Sequence, residues 1–228
     1  MQKKYVPLVV FLAALLVLAA HLGARAVLAE TAFTFAEEEK RVYLTFDDGP
    51  STVVTNAILD TLKEEGIKAT FFIVSDRAHG REETLRRIVR EGHTVGVHSA
   101  THNYSDIYAS DEALLADVNE CATLIRRVTG VVPHVYRFPG GGTSARERQT
   151  KMLERLGYRV VRWNAVCGDE EIRNASAATL TEESMRTAGN KNTVLLLLHD
   201  TAPNRATAEA LPDIISRFRA RGYTFCAY

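Results

Sequence analysis

Hydrophobic and polar positions along the chain fall into short blocks that change period from one block to the next. From residue 41 onward, runs of apolar and β-branched residues alternate with segments in which apolar residues recur every three or four positions. The first pattern is typical of buried strands and the second of amphipathic helices. It predicts seven strands, over residues 41–46, 69–74, 94–98, 135–138, 158–163, 193–198 and 223–226.

The intervening segments carry the start and stop signals of helices. Ser110 is a predicted N-cap for a helix that begins at Asp111, and Gly130 follows its predicted end. Other helices are predicted to run from Ser144 to Leu156 and from Thr179 to Ala188, and around apolar positions in 54–62, 85–89 and 211–218. Strands that alternate with helices indicate a parallel sheet covered by helices. A closed or nearly closed α/β barrel and an open doubly wound sheet both fit this alternation.

The first 29 residues follow a different pattern. A positively charged start precedes an uncharged run over 6–20, and small residues lead to two candidate cleavage sites, after Ala26 or after Ala29. This order is typical of a secretory signal peptide, and the run is shorter than the roughly 20 apolar residues of a membrane span. We expect residues 1–29 to be a signal peptide or, alternatively, an N-terminal membrane anchor. Residues 30–40 are a predicted linker, and 41–228 a single domain that is secreted or anchored outside the cytoplasm.

Composition narrows the possible functions. Lys and Arg number 28 and Asp and Glu number 28, so no basic excess indicates a nucleic-acid partner. Removal of residues 1–29 would leave 25 basic and 28 acidic residues. A hydrophobic content of 46% argues against a disordered chain, and three cysteines cannot all pair within the chain. Cys121 lies on an apolar helical stripe and is expected to be a buried thiol. The domain is expected to be monomeric.

Polar residues that suit catalysis follow the predicted strands, each near the strand's carboxyl end. In an α/β barrel the loops after the strands converge at this end and form the active site. These residues are Asp47, Asp48, His98, His102, Arg137, Asp169 and His199.

Two of these segments suggest a metal site. His98 and His102 are four residues apart, and two histidines with one carboxylate are a common ligand set for a catalytic divalent metal. Asp47 and Asp48 repel each other, and a cation on one of them would offset that repulsion. Without a metal, the same residues would be two solvated histidines and an acidic turn. Arg137 could hold a carboxylate, while His199 could be an acid, a base or only a core residue.

Together these segments resemble the polysaccharide deacetylase family (carbohydrate esterase family four). The order in this chain is Thr-Phe-Asp-Asp-Gly-Pro, His-Ser-x-x-His, Arg-Phe-Pro-Gly, then Trp163-Asn164 with Asp169, and finally Leu-Leu-His at 197–199. The five motifs cover about residues 40–228. The resemblance implies a distorted (β/α) barrel of about seven parallel strands with outer helices, and a metal-dependent enzyme that removes acetyl groups from glycans.

The resemblance also implies roles for the metal site and the base. Asp48, His98 and His102 match the metal ligands, with Zn²⁺ the expected ion. Asp47 matches the general base that activates the attacking water. Arg137 matches the residue that holds this base.

For the rest of the site, the resemblance implies an acid and the walls of a pocket. His199 matches the acid that protonates the leaving amine, and Asp169 matches the carboxylate that orients it. Leu197 matches the wall of the acetyl pocket, and the Gly140 amide matches a donor to the oxyanion. Trp163 could contact the sugar or could instead face the protein interior.

Departures from the family pattern concern the substrate. Gly140 stands where an aromatic residue is frequent, so one wall for the sugar is expected to be missing. Glu170 stands where a tryptophan is frequent. Tyr104 and Tyr108, beside the histidine motif, are candidates to stack on a sugar ring. N-acetylglucosamine in peptidoglycan is the expected substrate. Chitin oligomers, O-acetylated xylan and a non-catalytic glycan-binding role are the alternatives.

Overall fold

The structure, a computed structural model, describes residues 18–19, 39–142 and 146–228. Nearly all of 1–29 and 30–40 therefore lies outside the described residues, and the signal-peptide, anchor and linker predictions with it. None of the helices in the described residues has the length and apolar character of a membrane span. Residues 39–228 form one unit.

The sheet has eight strands in the described residues, and every pairing in it is parallel. Seven of them follow the order β5-β4-β3-β2-β1-β7-β6, and β8 pairs with the first half of β1. The strands are β1 Arg41–Asp47, β2 Thr70–Val74, β3 Thr94–Ser99, β4 Val135–Tyr136, β5 Arg159–Val160, β6 Ala165–Val166, β7 Thr193–His199 and β8 Thr224–Cys226.

The strand order decides between the two architectures that the alternation left open. From β1 to β5 each strand lies beside its neighbour in the chain, and β1 also pairs with β7 along its whole length. A doubly wound sheet would instead reverse its strand order at a switch point. The sheet therefore curls into a distorted barrel, as predicted. The two-residue strands β5 and β6 form the ends of this curled sheet.

Eight helices surround the sheet in the described residues. The caps predicted for the helix that begins at Asp111 are both present. The Ser110 side chain accepts a hydrogen bond from the Ala113 amide, and Gly130 adopts a left-handed φ of 78°. The helices are α1 Val54–Glu64, α2 Ser75–Ala78, α3 Glu82–Arg90, α4 Tyr104–Ile107, α5 Asp111–Thr129, α6 Glu147–Arg155, α7 Ala177–Ala188 and α8 Arg205–Ala220.

The strand predicted over 158–163 is shorter in the structure, because the chain changes partners after Val160. Only Arg159–Val160 pairs with β4, and the chain then crosses to pair β6 with β7. Asn164 makes this crossing possible, since its side chain donates to the Thr193 carbonyl and accepts from the Leu195 amide. Such a contact between distant residues leaves no mark in the local hydrophobic pattern.

The barrel interior is apolar except at one end. Buried polar side chains concentrate where the strands end, and this is the end that the sequence predicted for the site. Those at or just after strand ends are Asp47, Asp48, His98, Ser99, Arg137, His199 and Asp200.

Candidate active site

A cavity of about 170 Å³ opens at the carboxyl ends of the strands. Eight of the ten residues predicted for the site line it. The other two, Arg137 and Asp169, lie behind it and bond to Asp47 and His199. The lining is Asp47, Asp48, His98, His102, Tyr104, Phe138, Gly140, Trp163, Glu170, Glu171, Leu197 and His199.

Three predicted ligands converge on one side of this cavity. The Nε2 atoms of His98 and His102 lie 3.3 and 3.1 Å from Oδ1 of Asp48. One ligand atom from each residue lies within 4.8 Å of the others. This oxygen is buried and has no hydrogen-bond donor in bonding geometry. A buried carboxylate oxygen that faces two imidazole nitrogens fits a divalent cation.

Neighbouring groups set the tautomer of His98 and the ionisation of Asp48. Nδ1 of His98 lies 2.8 Å from the Arg137 carbonyl, so this nitrogen carries the proton and Nε2 keeps its lone pair. Burial opposes ionisation of Asp48, but the nearby imidazoles of His102 and His98 outweigh it and hold the pKa of Asp48 far below the usual range. Asp48 is therefore ionised, as a metal-binding carboxylate must be, and Nε2 of His98 is directed at the same site.

The segment from Ser99 to His102 (the histidine loop), which follows His98 and carries His102, is held from α5. Oδ1 of Asp117 accepts hydrogen bonds from the Ser99 hydroxyl and the Ala100 amide, both at 2.9 Å, and from the Thr101 amide at 3.3 Å. The Ser99 oxygen in turn accepts from the His102 amide at 2.8 Å. His102 has a left-handed φ of 59°, a conformation that the loop must impose on a non-glycine residue.

Asp47 is paired with a cation that has no contact with solvent. Nη1 of the fully buried Arg137 lies 2.8 Å from Oδ1 of Asp47 and 2.8 Å from the Thr45 hydroxyl. The guanidinium also packs 4.4 Å above the Phe72 ring. Oδ2 of Asp47 faces the metal-ligand side and lies 3.9 Å from Nε2 of His98. Arg137 therefore orients one carboxylate oxygen toward the cavity.

His199 lies across the cavity and is held by Asp169. Nδ1 of His199 and the His199 amide each lie 2.8 Å from an oxygen of Asp169, which also accepts from the Thr207 hydroxyl at 2.7 Å. Burial disfavours the charged imidazole, but the Asp169 hydrogen bond and charge outweigh it and raise the pKa of His199 to about 9. The imidazole is therefore protonated at neutral pH. Its Nε2 lies 3.6 Å from Glu170.

The glycine segment and the tryptophan shape the remaining walls. Trp163 lies between β5 and β6, lines the cavity and packs against Gly141, where an added Cβ would come within 2.7 Å of its ring. Trp163 therefore does not lie on a strand and face the protein interior, which was one of the two alternatives that the sequence left open. No described acceptor bonds the Gly140 amide, and Leu197 closes the apolar side.

Several residues of the site escaped the sequence analysis. Thr45 bonds to Arg137 and Thr207 to Asp169, while Asp117 bonds to the loop that carries His102. Asp200 is fully buried, and burial raises its pKa to about 7. Asp117 had one available signal, since it is an acid on the apolar stripe of a helix. The sequence marks Glu170 as a departure from the family pattern but carries no signal for its contact with His199.

The other histidines of the described residues and the cysteines do not line the cavity. His79 and His134 are exposed, and His93 accepts a hydrogen bond from the Ala69 amide with its pKa lowered to about 4 by burial. Cys121 is a buried free thiol, as predicted, and the other two cysteines are also free.

This chain is similar to known proteins in both sequence and fold. The family model described as polysaccharide deacetylase matches residues 36–161, more than half of the chain. The peptidoglycan N-acetylglucosamine deacetylase PgdA of Listeria monocytogenes serotype 1/2a (strain 10403S) is 30% identical over 190 residues. The peptidoglycan N-acetylmuramic acid deacetylase PdaC of Bacillus subtilis (strain 168) is 34% identical over 190 residues. Each alignment covers 83% of this chain and 38% of the relative, so the chain spans about two fifths of their length.

A solved structure extends the similarity to three dimensions. A carbohydrate esterase family four enzyme of Streptococcus mutans superposes with a TM-score of 0.78 at 31% identity. The superposition covers 87% of this chain and 90% of that one.

Proposed function

Because this chain belongs to the polysaccharide deacetylase family, we propose that it hydrolyses the N-acetyl group of N-acetylglucosamine in peptidoglycan and releases acetate. One observation carries the proposal: a potential metal-ligand triad, a carboxylate fixed by a buried arginine and a charged histidine all face one small cavity. Those are the groups that hydrolysis of an unreactive acetamide needs.

The cation would be held by Asp48, His98 and His102. A divalent metal in that position supplies Lewis-acid polarisation of the acetamide carbonyl and of the attacking water. Nitrogen and oxygen ligands in this combination suit zinc, and we propose zinc as the ion.

The chain's own residues handle the protons. Asp47, held at one oxygen by Arg137, takes a proton through the other oxygen from the attacking water. The Gly140 amide donates to the oxyanion that forms at the former carbonyl oxygen. His199, charged through its pair with Asp169, gives its proton to the nitrogen as the C–N bond breaks. The products are acetate and an amine.

The choice of peptidoglycan rests on the relatives. PgdA is named for N-acetylglucosamine and PdaC for N-acetylmuramic acid, and both names specify peptidoglycan. Peptidoglycan lies outside the cytoplasmic membrane, so the proposal includes export directed by residues 1–29, either as a cleaved signal or as an anchor. We also propose that the exported domain acts as a monomer.

The first test measures acetate released by the purified protein. The substrates are N-acetylated peptidoglycan, a chitin tetramer and acetylated xylan, each with and without a chelator. We expect release from peptidoglycan, its loss on chelation and its recovery with zinc. Release from xylan or the tetramer alone would reassign the substrate, and release from none would contradict the proposed function.

The second test removes the base. Asp47→Asn should lower kcat by at least about 1,000-fold and leave metal stoichiometry unchanged, because Asp47 is proposed to move a proton while Asp48 binds the metal. The matched control is Asp213→Asn, which changes an exposed aspartate on α8. Near-normal turnover by Asp47→Asn would contradict its assignment as the base.

A further inference from the structure

An exposed aromatic ring stands at the mouth of the cavity. Among the described residues five large apolar side chains are exposed, and Tyr104 is the aromatic one, with 50% of its surface accessible. It lines the same cavity as Asp48 and His102. A scattered exposed apolar residue needs no explanation, but this ring borders the reactive groups.

The ring is held in place by its own segment. Tyr104 begins α4, whose N-cap Asn103 accepts hydrogen bonds from the Ser105 amide and hydroxyl. The ring centroid lies 5.3 Å from His102 and 6.1 Å from Tyr108. Its position is therefore set before any ligand arrives, which lowers the entropic cost of a contact.

Tyr108, the other candidate from the sequence, is committed to the protein. Its hydroxyl donates to the Pro139 carbonyl at 2.7 Å, and the Arg146 guanidinium covers its ring at 3.3 Å. Of the two tyrosines, only Tyr104 presents an exposed ring.

Gly140 is what allows Tyr104 to occupy this position. A Cβ on Gly140 would lie 3.2 Å from the Tyr104 hydroxyl oxygen and 3.3–3.4 Å from ring carbons. Its φ of 68° also disfavours any residue with a side chain. The wall expected to be missing at Gly140 is thus supplied from α4, and a large side chain at Gly140 would compete with the ring for the same space.

We propose that Tyr104 is the surface against which the substrate's pyranose ring packs while its acetyl group occupies the cavity, and that Gly140 is required because it leaves room for this ring. The apolar C–H face of a pyranose and the flat face of an aromatic side chain are complementary surfaces. The inference deepens the proposed function, on which it rests, by assigning the contact that recognises the sugar.

The test separates sugar binding from turnover. Calorimetry would measure binding of the chitin tetramer to zinc-loaded Asp47→Asn enzyme, with and without Tyr104→Ala. We expect Tyr104→Ala to weaken binding about 10- to 100-fold and Tyr104→Phe, which keeps the ring, to weaken it less than about threefold. The control is Leu156→Ala, which truncates an equally exposed apolar residue at the opposite end of the strands and should not change binding.

The outcomes distinguish this inference from the proposed function. Equal tetramer affinity with and without the Tyr104 ring would contradict the inference, whether or not the wild type releases acetate. Weaker binding in Tyr104→Ala would support it even if the wild type released none. Zinc stoichiometry and the unfolding midpoint should match in all variants, which shows that a loss of binding is not a loss of the fold.

A double substitution tests the role of Gly140. Gly140→Ala should weaken tetramer binding, because its Cβ presses on the Tyr104 ring. When Tyr104→Ala has already removed that ring, Gly140→Ala should cost little more, since residues that act through one contact are not additive. Fully additive losses would contradict the requirement for Gly140.

Discussion

Individual residues in the site owe their chemistry to a partner behind them. His199 and Asp169 show this clearly, because a buried imidazole alone would be neutral at pH 7. The carboxylate reverses that preference and raises the pKa of His199 to about 9. In return, and against the effect of burial, the imidazole lowers the pKa of Asp169 below its usual 3.8.

This pair predicts the alkaline side of the pH–activity profile. If His199 is the acid, kcat/KM should fall as pH rises through about 9, where the imidazole loses its proton. Asp169→Asn removes the raising partner while burial remains, so the alkaline limb should move down by about two pH units or more. Glu170→Gln is the graded control, because that half-exposed carboxylate is 3.6 Å from Nε2 and should shift the limb less. A limb that stays near 9 in Asp169→Asn would remove His199 from the acid role.

The same shifts determine when the pair stabilises the fold. A His199 pKa above its ordinary 6.5 means that its contribution is complete below pH 6.5 and is lost as pH rises through about 9. The lowered pKa of Asp169 means that its contribution is complete above 3.8 and is lost as pH falls below that value. The contribution of the pair to the free energy of unfolding is therefore largest between about pH 3.8 and pH 6.5.

At the scale of elements, α5 both packs the barrel and positions the histidine loop. Leu114, Val118 and Cys121 form its buried stripe, and Asp117 lies within that stripe at 8% exposure. A buried carboxylate without donors would be costly, and here one oxygen accepts from three donors of the loop after β3. Packing of α5 against the sheet therefore also fixes the segment that carries His102.

Asp117→Ala should loosen that loop, although Asp117 is not itself one of the proposed metal ligands. Three donors lose their acceptor, which should lower the free energy of unfolding by about 1–3 kcal/mol. Zinc affinity, measured by competition with a chelator, should fall about 10- to 100-fold because His102 is no longer held. Glu120→Ala, which changes an exposed acid on the same helix, is the control. Unchanged zinc affinity in Asp117→Ala would show that the loop holds its shape without α5.

At the scale of the whole molecule, the two ends of the strands have separate tasks. The carboxyl ends carry the proposed chemistry, while the amino ends are closed by the last residues of the chain. Tyr228 packs on Tyr43, with ring centroids 4.9 Å apart, and on the Arg159 guanidinium at 4.6 Å. Its amide donates to the Thr70 hydroxyl at 3.3 Å and its carbonyl accepts from the Thr94 hydroxyl, so Tyr228 connects four strands.

Tyr228→Ala should therefore affect stability and not catalysis. Loss of a half-buried ring should lower the free energy of unfolding by about 1–3 kcal/mol, measured by urea denaturation. Zinc stoichiometry and kcat/KM of the folded enzyme should match the wild type, because the ring lies at the opposite end from the cavity. A fall in zinc stoichiometry would instead show that the two ends of the strands are coupled.

The sequence by itself determined the alternation of strands and helices and the end of the strands where reactive residues would meet. Both follow from local pattern: hydrophobic period decides the type of element, and chain position places Asp47, His98 and His199 at strand ends. The motif order determined the resemblance, which implied a barrel that the alternation alone left open.

The tertiary structure decided the contacts between segments that are distant in the chain. It selected the barrel by pairing β1 with β7, ended β5 at Val160 and connected Asp117 to the histidine loop. It also placed the Tyr104 ring in the space that Gly140 leaves open. None of these is visible in a single segment, because each depends on which side chains meet after the sheet has curled.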